Sequence, residues 1–300
     1  MDPQFLLTLP PQIITHSYSR RDTMLYALGV GAGQGMDSAD LPFLLENRLA
    51  TLPTMAVVLA YPGFWQMDPR YGIDWRRVLH AEQSCEFHAP LPVEGEVRGE
   101  FSIDAIVDKG ASKGALLRAR RLIYDQADNR LLATVRQLSF LRGDGGQGGG
   151  GAVIAPLAPV PNREPDRILP LMTRPEQALL YRLSGDYNPL HADPAVAREA
   201  GFPGPLLHGL CTYGFAGRAV LAAACGNEPA RLKTLECRFT APVHPGETLE
   251  VRMWHEGEGA VAFQVVVPER QKVVIDHGRA LIAAHVAAGL ISPSLSCEFG

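Results

Sequence analysis

The sequence predicts an α+β fold made of two related halves, each with one helical segment against an antiparallel sheet. Three observations predict it. The residues CEFHAP at 85–90 return as CRFTAP at 237–242, with Cys, Phe, Ala and Pro matched at a constant offset of 152 residues. Each block leads through Pro, Gly and Glu into alternating sequence, VRGEFSIDAIV in the first half and LEVRMWHEGEGAVAFQVVV in the second. That period suits half-buried antiparallel strands. Each half also carries a helical stretch ahead of its strands, and this segregation of helix from strand defines the class.

The first helical stretch, LLENRLATLPTMAVVLAYPGFW, is interrupted by Pro53. Proline inside a helix removes a hydrogen bond and clashes with the preceding turn, so this segment is expected to be kinked or looser. A broken helix leaves room beside Ala56 and Val57, unless Phe64, Trp65 and nearby apolar side chains fill it. Next comes GDGGQGGGG, residues 143–151, followed by AVIAPLAPVPNREP. Glycine gives flexibility and proline stiffens the chain, so no packed element is expected there. The resulting division is a degenerate N-terminal half, 1–142, a linker, 143–165, a C-terminal half, 166–291, and a tail, 292–300. The second helix spans 208–225, with Leu210, Tyr213, Val220 and Leu221 at helical spacing. Gly214 and Gly217 weaken it intrinsically and would permit close approach of the surrounding sheet. One helix wrapped by a strongly bent sheet is the hotdog arrangement. Two related halves make a double hotdog, with the sheets joined edge to edge.

Composition excludes several function classes. The 300 residues carry a net charge of −4 with a pI near 6.1, against a nucleic-acid binder with a basic face. The cluster Arg118, Arg120 and Arg121 reads as a solvated edge. The best membrane candidate, Ala219 to Cys225, is far short of the roughly 20 residues a bilayer needs. The N-terminus lacks a basic region and is broken by Pro3, Pro10 and Pro11, unlike a secretory signal. The terminal SPSLSCEFG carries no peroxisomal tripeptide. Five cysteines, 85, 211, 225, 237 and 297, form no C-x-x-C pair. They suit a reducing compartment, and a cytoplasmic location is expected.

The segment carrying chemistry is YRLSGDYNPLHADPAVAREAGFPGPLLHGL, residues 181–210. Ser184, Gly185 and Asp186 begin a turn that Asn188 and Pro189 continue. Leu190 is expected to be buried. A compact turn brings Asp186 and His191 to one cavity. An Asp and His pair can handle the protons of a water molecule, because imidazole titrates near neutrality and a carboxylate accepts or returns a proton. Asp193 is the expected N-cap of a short helix with Pro194 at its first position, ended by Gly201. His191 and Asp193 with His208 show no established metal-ligand spacing, and GVGAGQG at 29–35 follows no clear strand and reads as a turn. Neither a metal nor a redox cofactor is expected.

The string SGDYNPLHAD resembles the signature of hydratase 2, the MaoC-like (R)-specific enoyl-CoA hydratases. Residues 18–22 with 25–32, and Leu79-His80-Ala81-Glu82-Gln83, are similar to the hydratase 2 part of peroxisomal multifunctional enzyme type 2. The resemblance covers most of the chain outside the linker and tail. It implies that Asp186 and His191 hold the water, that Asn188 orders the loop, and that the Gly209 N–H faces a thioester carbonyl at a helix N-terminus, where free N–H groups suit a developing enolate. It implies an acyl-CoA thioester as the bound partner and is compatible with a homodimer. The string occurs only in the second half, so one active site per chain is expected, with the first half sheltering the acyl tail. Lys233 and Arg238 are unranked candidates for the coenzyme A phosphates, and Tyr213 and Arg218 receive no role. A hotdog thioesterase and a non-catalytic acyl-CoA-binding subunit are the alternatives.

Overall fold

The computed structural model describes residues 1–34 and 38–284. The tail at 292–300, the end of the second half and Cys297 lie outside the described residues. The strands among the described residues all join one antiparallel sheet. In the first half they are β1 (Gln12–Tyr18), β2 (Val78–Phe87), β3 (Gly95–Asp108), β4 (Ala115–Asp125) and β5 (Leu131–Leu141), ordered β1-β3-β4-β5-β2. A two-residue strand, β6 (Gly150–Gly151), pairs beside β3. The second half contributes β7 (Arg167–Met172), β8 (Leu232–Phe239), β9 (Thr248–His255), β10 (Ala260–Val267) and β11 (Lys272–Ile282), ordered β8-β11-β10-β9-β7. The second order is the first in mirror image. Five helices accompany the sheet among the described residues: α1 (Pro3–Thr8), α2 (Arg20–Gly29), α3 (Gln177–Tyr181), α4 (Pro194–Glu199) and α5 (Gly209–Cys225).

The halves meet where β2 pairs with β8, the two strands that carry the repeated block. Ser84 lies opposite Glu236, and these positions are themselves 152 apart. Gln83 opposite Cys237 and Cys85 opposite Leu235 exchange under the same offset. The register therefore places a pseudo-two-fold axis between Ser84 and Glu236, as a duplicated unit joined edge to edge requires. Cys85, Cys211, Cys225 and Cys237 are buried and free, packing as small hydrophobes.

The two central segments differ. In the second half α5 is a 17-residue helix whose buried side includes Leu210, Tyr213, Phe215 and Val220. In the first half the expected helix is replaced by short 3-10 turns, of which the central one, Pro53–Val57, has Pro53 at its first position and every residue buried. Its carbonyls need partners that a helix would have supplied. The Arg121 guanidinium donates to the Val57 carbonyl at 2.8 Å and the Ala56 carbonyl at 3.2 Å. Arg121 is therefore not a solvated edge residue. It occupies an inward position of β4, in phase with Leu117, Ala119 and Ile123, and burial draws its pKa down to about 10. Phe64 does not fill the gap, being 38% exposed. Trp65 packs against Tyr71 and Phe101 in a separate apolar cluster.

Gly214 and Gly217 serve close approach, but chiefly to the first half. A side chain at Gly214 would collide with Val30 at the end of α2, and one at Gly217 would lie 2.5 Å from Thr54 and 3.1 Å from Leu235 of β8. Two polar clamps reinforce α5. Arg218 pairs with Asp40 at 2.7 Å and donates to the Val30 carbonyl, and the Tyr213 hydroxyl donates to the Leu235 carbonyl.

The glycine run is packed, contrary to expectation. A Cβ on Gly145 or Gly149 would strike the carbonyls of Gly110 or Ile106. The Asp108 carboxylate accepts the N–H groups of Gly110, Gly146 and Gly148 at 2.7–2.8 Å. Glycine is needed there for closeness to β3 and β4 rather than for freedom. No helix among the described residues is long and apolar enough to cross a membrane.

Candidate active site

The site begins at a chain reversal between α3 and α4. A 3-10 turn, Arg182–Ser184, closes on Gly185, whose φ of 115° is unfavourable for a residue with a side chain. Asp186 follows, and its Oδ1 accepts the Asn188 N–H at 3.2 Å. Asn188 caps the next 3-10 turn, Pro189–His191, through its Oδ1 and the Leu190 N–H at 3.1 Å. These two side-chain-to-backbone bonds fold the string so that His191 comes back toward Asp186. Leu190 is half-buried rather than buried, and its carbonyl accepts the Leu206 N–H. Asp193 caps α4, accepting the Ala195 N–H at 2.7 Å, with Pro194 at the first position and Gly201 just beyond the end. Asp193 is thus a structural cap.

His191 donates its Nδ1 proton to the Leu206 carbonyl at 2.9 Å. The neutral ring then presents the lone pair of Nε2. Burial lowers the pKa of His191, opposed in part by the Asp186 carboxylate, so the ring is neutral at neutral pH. His208 completes the cluster. Its ring stacks on His191, with centroids 3.8 Å apart and an interplanar angle of 28°. Its Nε2 donates to the Asp186 carbonyl at 3.2 Å. Burial, with His191 beside it, draws the His208 pKa down to about 3. Sequence reasoning weighed His208 only as a metal ligand together with His191 and Asp193, and missed its stacking on His191 and its bond to the Asp186 carbonyl. The signal lay in its position immediately before Gly209.

Asp186, His191 and His208 offer donor atoms within 4.8 Å of one another. A metal requires each imidazole lone pair to point at it in the ring plane. Two rings stacked nearly face to face cannot both do so without turning and breaking the bonds to Leu206 and Asp186. The geometry suits a water molecule better than an ion.

Gly209 is the first residue of α5, with His208 as its N-cap. The first N–H groups of a helix have no intrahelical acceptor and carry the positive end of its dipole. A Cβ here would rest against the Phe239 ring at 3.4 Å, so the backbone is closely approached on that side. The structure therefore brings together Asp186, Asn188, His191 and the start of the helix at Gly209. Of the two basic candidates, Arg238 is held by Glu82 at 2.6 Å, while Lys233 is exposed.

A cavity of about 380 Å³ runs from Ser184 and Gly185 into the first half. Met55, Val58, Ala60, Tyr61, Ile14, His16 and Leu25 are among its lining residues. Ala56 does not line it, and Val57 lines a smaller hollow beside Arg121.

Residues 16–143 match the MFE-2 hydratase 2 N-terminal domain, and residues 156–277 match the MaoC like domain. The two matches flank the glycine run and together take in both halves. The chain belongs to the MaoC-like hydratase 2 family. Among its relatives, 3-hydroxyacyl-thioester dehydratase Y of Mycobacterium tuberculosis is 42% identical, over 87% of this chain and 91% of that protein. The peroxisomal enoyl-CoA hydratase 2 of Arabidopsis thaliana is 39% identical, over 87% of this chain and 89% of that protein. A crystal structure of a MaoC-like dehydratase from Phytophthora capsici superposes with a TM-score of 0.85 at 38% identity, over 93% of this chain and 98% of that one. Membership of the hydratase 2 family agrees with the double hotdog seen here, and the S-G-D-x-N-P-L-H string lies inside the MaoC-like half.

Proposed function

We propose that the chain is an (R)-specific 2-enoyl-CoA hydratase, reversibly adding water to trans-2-enoyl-CoA to give (3R)-hydroxyacyl-CoA. The observation that carries this reading is the convergence of Asp186 and His191 beside the free N-terminus of α5, in a chain of the hydratase 2 family. Water held between the Asp186 carboxylate and the His191 Nε2 lone pair attacks C3. The C2–C3 π electrons move toward the thioester, whose oxygen takes the charge facing the Gly209 N–H. Preorganised N–H donors aimed at a developing oxyanion supply a large part of such a barrier reduction. The pair accepts one proton from water and delivers one to C2 on the same face as the enolate collapses, which returns the pair to its starting protonation.

Asn188 is a positioning residue, since it shapes the turn through its own side chain and its N–H to Asp186. The 380 Å³ cavity, within the range of small-ligand sites, takes the acyl tail, while the thioester lies near Gly185. The four buried free thiols are consistent with action in a reducing, cytoplasmic setting. Incubation with crotonyl-CoA and longer trans-2-enoyl-CoA thioesters tests the reading. Loss of the conjugated-thioester absorbance with formation of (3R)-hydroxyacyl-CoA is the expected result. Release of free coenzyme A in place of hydration would assign a thioesterase instead.

A further inference from the structure

The cavity in the first half is not the uniformly apolar slot that a plain hydrocarbon chain would select. Ile14, Leu25, Met55 and Val58 supply apolar surface, but His16 and Asp22 line the same space. The orientation of His16 is fixed. Its Nδ1 accepts the N–H of Ala60 at 2.9 Å, and Ala60 is held at a φ of 49°, which a side chain rarely adopts. The ring proton therefore sits on Nε2. Burial lowers the pKa of His16, so the ring is a neutral donor at neutral pH rather than a cation. Asp22 lines the same cavity and acts on His16 through its charge, its carboxylate held by the N–H and hydroxyl of Ser19 at 2.9 and 2.7 Å. A carboxylate there repels a charged acid at the end of a tail and accepts from a hydroxyl. The Ser184 hydroxyl, on the same lining, is buried with no hydrogen-bond partner among the described residues.

Polar groups dried by an alkyl chain lose hydrogen bonds to water without replacement. A ligand that returns those bonds is favoured, and a site built to hydrogen-bond an oxygen discriminates strongly against the analogue lacking it. Resting on the hydratase reading for the thioester end, we infer that this cavity selects acyl groups carrying an uncharged oxygen function, a hydroxyl or a ketone, with His16 as the hydrogen-bond donor.

Binding of unreactive ligands tests this without chemistry. Calorimetric titration of the full chain would compare decanoyl-CoA with derivatives bearing a hydroxyl at successive positions along the distal half of the chain. At least one derivative is expected to bind about tenfold or more tightly than the plain thioester. The His16→Phe variant is expected to lose that preference, while His16→Gln, which keeps an N–H donor, retains part of it, with thermal melting showing that both are folded. Equal or weaker binding of every hydroxylated derivative, or an unchanged preference in a folded His16→Phe variant, would overturn the inference. Crotonyl-CoA hydration by the unmodified protein separates the two readings. Hydration without a preference sinks the oxygen selection alone, and a preference without hydration sinks the hydratase reading alone. If neither is seen, both fall.

Discussion

Acidification should unfold this protein partly through His208. In the folded chain its pKa is drawn down to about 3 from an ordinary value of 6.5. Above pH 6.5 both folded and unfolded states hold the ring neutral, and no stability is at stake. Between 6.5 and about 3 the unfolded chain binds a proton that the folded chain refuses, so stability is lost as pH falls. Each pH unit within that window costs about 1.4 kcal/mol. Moving from about pH 7.5 to about pH 5 crosses roughly 1.5 units of it, a loss of about 2 kcal/mol. His208 is 1% exposed, so water does little to screen the effect. Burial lowers His191 as well, with the same sign. Urea unfolding at the two pH values measures the total loss in the wild type. His208→Phe keeps an aromatic ring between His191 and Tyr181 but removes the titration, so its loss should be smaller by about 2 kcal/mol. The variant's absolute stability is not the readout. Equal losses in the two proteins would refute the burial of a neutral His208.

Three further outcomes follow from named contacts. The acid limb of kcat/KM for crotonyl-CoA should have its midpoint below 6.5, because His191 acts neutral and burial lowers its pKa; a midpoint above that value would contradict the assignment. Gly214→Ala should destabilise the fold by about 1–3 kcal/mol through overpacking against Val30, despite alanine's better helix propensity. Thermal unfolding of the Gly214→Ala, Val30→Ala double variant should then show less loss than the two single changes added together. Met55→Trp or Val58→Trp should cut kcat/KM for a long enoyl-CoA at least roughly tenfold more than for crotonyl-CoA, at about 0.8 kcal/mol per displaced methylene; equal effects on both substrates would move the tail elsewhere.

Much of this architecture was legible because its signals are local or repeated. The 152-residue offset anticipated two related halves, and the register at their joint, where Ser84 meets Glu236, repeats that same offset. The cap at Asp193 and the stop at Gly201 follow from side-chain and backbone chemistry within a few residues. What escaped depends on distant partners. The glycine run looked flexible because nothing in it shows the carbonyls of Gly110 and Ile106 against which it packs. Gly214 and Gly217 were matched to the sheet, yet Val30 and Thr54 of the first half fill most of that space. Arg121 was readable in part, since the alternation of β4 puts it in phase with Leu117 and Ala119. Its partners, the carbonyls of Ala56 and Val57, arise only once the helix shrinks to a 3-10 turn. His208 reaches Asp186 and His191 through the pairing of Leu206 with Leu190, which no spacing announces.

The central claim is that Asp186 and His191 together move the protons of a water molecule. Turnover of crotonyl-CoA by Asp186→Asn and by His191→Ala tests it most directly, with circular dichroism and thermal melting establishing that each variant is folded. Each change removes a positioned proton-transfer group, so kcat should fall by at least roughly 100-fold in both. Near-wild-type turnover in the two folded variants would contradict the claim.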